Sequence, residues 1–105
     1  MWYQRYSRLH KNHESTGDLD IGGFTELVKE AFDVDDKYWD KLEELQGKAN
    51  VSTQGRYGSQ HVAGLLAGRR QYRNDPTSLN ELEDDVVCSF ADVAAHLIHL
   101  YISRE

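Results

Sequence analysis

The closing quarter of the chain fits one kind of regular structure. Between Leu79 and Ile102, residues Leu82, Val86, Val87, Phe90, Val93, Ala94, Leu97, Leu100 and Tyr101 gather on one side at about 100° per residue. A second face runs beside the first. Glu81, Asp85, Ser89, Asp92, His96 and His99 fall on a stripe roughly 80° wide, next to the apolar side rather than opposite it. Charges that only solvate a helix usually sit opposite its core. A row of carboxylates and imidazoles at the core's margin is where a bundle can hold a divalent metal.

The rest of the chain carries the same period. Tyr3, Tyr6 and Leu9 or His10 give a first helix from Trp2 to about Glu14, ended by Ser15-Thr16-Gly17-Asp18. Gly22-Gly23 closes the connection, and Phe24, Leu27, Val28, Ala31 and Phe32 make a second helix beginning near Phe24. Asp35 is placed to cap a third, carrying Tyr38, Trp39, Leu42 and Leu45 and weakened at Gly47. Asn50 to Gly55 reads as a loop. A fourth helix spans about Ser59 to Tyr72, with Val62, Leu65 and Leu66 inward, and Asn74-Asp75-Pro76-Thr77 stops it. Thr77 or Ser78 then caps the last helix, with Glu81 completing a capping box. No stretch alternates with period two. The expectation is an all-α bundle of four or five helices, forming a single domain over residues 1–105.

Composition narrows the function classes. A net charge of −6 and a pI of about 5.3 argue against stable nucleic-acid binding and against membrane association. No apolar run approaches the roughly 18 residues that span a bilayer, and the N-terminus lacks a signal sequence's apolar middle. The single cysteine, Cys88, excludes an internal disulfide and favours a reducing, cytoplasmic setting.

The last helix has ordinary explanations as well as functional ones. Glu83, Asp84 and Asp85 sit where a helix dipole favours acids in any protein. Asp92 lies mid-helix between Phe90 and Val93, where the dipole offers nothing and partial burial is costly. A salt bridge to Arg69 or Arg70 would explain it structurally. His96 and His99 fit bundle histidines as readily as ligands.

Ser89-Phe90-Ala91-Asp92-Val93-Ala94-Ala95-His96-Leu97-Ile98-His99-Leu100 resembles the third core helix of the MazG-like, all-α nucleoside triphosphate pyrophosphohydrolases. Arg8 to His13 and Phe24 to Asp33 are similar to that family's first helix and the start of its second. The resemblance covers about half of the chain. It implies release of pyrophosphate from a nucleoside triphosphate, with Mg²⁺ (or Mn²⁺) held by a Glu-Glu-x-x-Glu motif and a Glu-x-x-Asp motif. Hard Mg²⁺ takes oxygen ligands, offsets phosphate charge and positions the attacking water.

Carried over by position, Asp92 matches the aspartate of Glu-x-x-Asp, with Ser89 in place of its glutamate. Glu30 and Asp33 match two of the three acids of the other motif, and Lys29 replaces the first. The expected catalytic residues are therefore Glu30 and Asp92, and the expected metal ligands Glu30, Asp33, Asp85 and Asp92. Arg69, Arg70 and Arg73, with His96, are the expected phosphate-side contacts, since guanidinium groups grip phosphate at two points. Arg56 and the tyrosines Tyr57 and Tyr72 extend that basic cluster. The resemblance also implies a homodimer. A diverged or inactive relative fits the broken motifs. The alternative is a small acidic, non-catalytic interaction module (inhibitor, immunity or assembly factor), its charge steering it toward basic surfaces.

Overall fold

The computed structural model describes residues 2–48 and 59–99, with side chains over 2–44 and 60–99. The described residues form five α-helices: α1 (Trp2–Thr16), α2 (Ile21–Phe32), α3 (Asp36–Lys48), α4 (Ser59–Asn74) and α5 (Asp84–Leu97). A 3-10 segment over Pro76–Glu81 joins the last two. Among the described residues there is no strand, so the all-α expectation holds. The expected loop at 50–55, together with Arg56, Tyr57, Leu100 and Tyr101, lies outside the described residues, as does the Leu45 side chain.

The core centres on α2. Its Phe24, Leu27, Val28, Ala31 and Phe32 are all buried and pack chiefly on α5, whose Val87, Ala91, Val93, Ala94, Ala95 and Leu97 are buried in turn. Each of the larger side chains among them, valine, leucine and phenylalanine, contributes about 1.5–3 kcal/mol by leaving water. Trp39 of α3, fully buried, meets Phe32 edge-on at 5.8 Å and donates its indole N–H to the Ala31 carbonyl at 3.1 Å. Gly68 lets α4 approach α5 closely. A Cβ there would lie 2.6 Å from Cε2 of Phe90.

Two boundaries differ from expectation. Gly22 and Gly23 belong to the first turn of α2, because Asp20 caps it and accepts from the Gly23 N–H at 2.9 Å. A side-chain cap holds the otherwise unpaired first-turn amides and outweighs the low helix propensity of glycine. The last helix starts at Asp84, later than the expected start around Thr77 to Leu79. Asp75 caps the 3-10 segment instead, accepting from the Thr77 N–H at 3.1 Å, with Pro76 opening it. Burial of Ser78 and Leu79 pins that turn down. The chain then passes through extended Leu82 and Glu83, so Glu81 is not on α5, and no capping box forms.

Candidate binding cleft between the first and last helices

Tyr6, the one buried residue of α1, donates its hydroxyl to Oδ1 of Asp92 at 2.7 Å. That bond ties the N-terminal helix to the middle of α5. It explains how a half-buried carboxylate is tolerated there, because a charge-assisted hydrogen bond offsets part of its desolvation. Arg69 and Arg70, the partners expected for it, are ion-paired with Asp36 and Glu43.

The α1–α5 junction carries two adjoining cavities that share Tyr6, His10 and Asp92. One, of about 160 Å³, extends toward Tyr3, Lys11 and His96. The other, of about 310 Å³, extends toward His13, Phe24, Asp85 and Ser89. Aromatic rings wall both: Tyr6 stacks on His10 with centroids 5.8 Å apart and meets Phe24 edge-on at 6.4 Å. His96 is positioned by its own helix, with Nδ1 3.2 Å from the Asp92 carbonyl oxygen. Nδ1 of His13 is buried without a hydrogen-bond partner. Cys88, half-buried beside this cleft, has its thiol pushed up by burial first and by the charges of Asp84 and Asp85 next, which keeps it protonated and a poor nucleophile.

Three residues of the α5 stripe thus face one cavity: Asp85, Ser89 and Asp92. The α1 side of the cleft, Tyr6, His10 and His13, lies outside the expected site residues. Tyr6, His10 and His13 stand four and three residues apart, one face of a helix, a spacing readable in the sequence. The apolar period claims Tyr6 and Leu9 or His10 for the buried side of that helix, and nothing in it marks His13.

The other expected site residues lie elsewhere, paired with side chains of other helices. Glu30 is ion-paired with Arg5 of α1. Arg5 and Tyr6 are chain neighbours whose side chains leave the helix about 100° apart, so their partners Glu30 and Asp92 flank α1 on different sides. Asp33 accepts from the Tyr72 hydroxyl at 3.2 Å, and the tyrosine's pKa is raised by burial first and by Asp33 second. Arg69 is ion-paired with Asp36 and donates to the Phe32 carbonyl at 3.2 Å. Arg73 reaches Asp36 as well, Nη2 to Oδ2 at 3.2 Å, and Arg70 reaches Glu43 at 2.8 Å. A cavity of about 340 Å³ between α3 and α4 is lined by these paired charges. Among the described residues, no three of His, Cys, Asp and Glu come together as ligands for a metal ion. Also among them, no helix is long and apolar enough to cross a membrane.

Comparison with protein families, with curated proteins and with solved structures finds no match to this chain.

Proposed function

We propose that this chain is a small acidic interaction domain whose partner presents a basic surface. One observation carries the reading. Glu81, Glu83, Asp84 and Asp85 form an exposed run of carboxylates at the start of α5, none ion-paired among the described residues. Four carboxylates within five residues, without an ion pair among the described residues and on a molecule of net charge −6, make a field that steers a cationic surface toward this end. The guanidiniums of Arg5, Arg69, Arg70 and Arg73 are meanwhile committed to carboxylates within the fold.

The second reading is the MazG-like pyrophosphohydrolase with Mg²⁺ and a nucleoside triphosphate. What favours it is Asp92, a mid-helix carboxylate lining a cavity together with Asp85. Self-association belongs to this reading, since Glu30 and Asp33 would have to come from another arrangement of chains.

A panel of canonical and modified nucleoside triphosphates, assayed with Mg²⁺ and with Mn²⁺, separates the two. The expected result is no pyrophosphate above the rate without protein. Turnover by the parent that disappears in Asp92→Asn would establish the hydrolase instead. In the same preparation, binding to polylysine is expected to weaken about tenfold or more when Glu81, Glu83 and Asp84 are all replaced by glutamine or asparagine.

A further inference from the structure

We infer that the groove where α2, the 3-10 segment and α5 meet docks a basic segment of a partner protein, anchored by an aliphatic side chain. The inference rests on the interaction reading above and names its surface. The groove encloses about 350 Å³. Leu79 and Val87 form its floor, 4% and 2% exposed, and Ile21 and Leu82 stand half-buried at its sides. Glycine at position 22 keeps it open. An added Cβ there would meet only Oδ1 of Asp20, at 3.8 Å.

The charged side chains lining this groove are both carboxylates. Glu26 of α2 and Asp84 of α5 are exposed and without an ion pair among the described residues, and no lysine or arginine lines the groove. Asp84 also belongs to the acidic run from Glu81 to Asp85, so the negative field continues past the groove's edge. On its far side Glu26 borders a separate cavity that holds Arg5 and Arg8. Asp84 and the run therefore supply most of the field.

That continuity selects the occupant. A small apolar molecule would fill the groove and leave the run unused. A purely charged polycation would use the run and leave Ile21 and Leu82 facing water. A segment with an aliphatic side chain between lysines or arginines answers both features. Its side chain leaves water against the aliphatic floor and sides, while the flanking cations reach Asp84 and Glu26. An acidic segment would be repelled by a chain of net charge −6.

The test is a titration of the full chain with two capped peptides, Lys-Lys-Leu-Lys-Lys and Lys-Lys-Ala-Lys-Lys, followed by backbone amide shifts. The leucine peptide is expected to bind about tenfold more tightly, as burial of roughly half a leucine side chain implies. It should also shift Ile21, Thr25 and Leu82, which the alanine peptide leaves in place. Gly22→Leu puts a side chain into the groove without changing the charge, at a helical position free of steric conflict. It should bring the leucine peptide down to the affinity of the alanine peptide. Equal affinity for the two peptides, or an undiminished preference for leucine in Gly22→Leu, overturns the inference and leaves the charge-steered reading standing. Binding of neither peptide overturns both. Shifts at Ile21, Thr25 and Leu82 on concentrating the chain alone assign the groove to a second copy and overturn the inference as well.

Discussion

Trp39→Ala is expected to destabilise the domain by about 4 kcal/mol, within the range for emptying a fully buried aromatic site, and to leave it close to unfolding at 25 °C. Trp39 has no exposed surface and joins three elements at once. Its ring meets Phe32 of α2 edge-on at 5.8 Å, its N–H is bound to the Ala31 carbonyl at 3.1 Å, and the Arg69 guanidinium of α4 lies 5.2 Å from its centroid. Alanine would leave a cavity and remove the indole hydrogen bond, while the Ala31 carbonyl keeps the Val34 N–H at 3.2 Å. Against a typical domain stability of about 5–15 kcal/mol, that loss is severe. Urea unfolding followed by circular dichroism gives the number. A shift below about 1 kcal/mol would mean that α3 is not docked as described.

The next largest effect is expected at Arg69. Only 7% of its surface is exposed, and it bonds the Phe32 carbonyl, pairs with Asp36 and covers Trp39. Arg69→Ala should cost about 2–3 kcal/mol through lost packing and the carbonyl left bare. Arg69→Lys should recover little of it, because a single ammonium cannot serve a carbonyl and a carboxylate while lying flat on an indole. The pairing also has a pH signature. Asp36 is held below its ordinary value, first by the Arg73 hydrogen bond, with the Arg73 and Arg69 charges adding to it against partial desolvation. A carboxylate lowered in the folded state contributes stability that is fully present above its unfolded value, about 3.9, and is lost as pH falls through the lower folded one. In Asp36→Asn the acid limb of the stability curve below about pH 4 should therefore flatten. An unchanged acid limb would show that the pair contributes nothing.

Legibility in the sequence followed the physics of each signal. The apolar period revealed every helix, because burial of a 3.6-residue stripe is what makes each one. Ser59 opens α4 and Asp35 precedes α3 as expected, the latter accepting from the Lys37 N–H at 3.1 Å. The break between Glu81 and Asp84 was not legible. Leu79 and Leu82 fit the helical period, and nothing local marks the extended Leu82 and Glu83 that delay the last helix to Asp84. Of the site, the stripe of Asp85, Ser89 and Asp92 was readable, since it depends on one helix alone. What each residue touches was not. Pairing Glu30 with Arg5, or Asp92 with Tyr6, joins positions 25 and 86 residues apart, and no local pattern encodes those meetings. Motif matching set Glu30 and Asp92 side by side as one family's ligands, while the packing of α1 between them gives each its own partner.

The central claim is that the chain's acidic residues serve pairing and recognition rather than converging on one ion. Calorimetric titration of Mg²⁺, then Mn²⁺, into the metal-free chain addresses it most directly. The account predicts no saturable site, only the weak, salt-suppressed heat of counterions around the Glu81 to Asp85 run. A stoichiometric site that survives 0.15 M salt and vanishes in both Glu30→Gln and Asp92→Asn would contradict it.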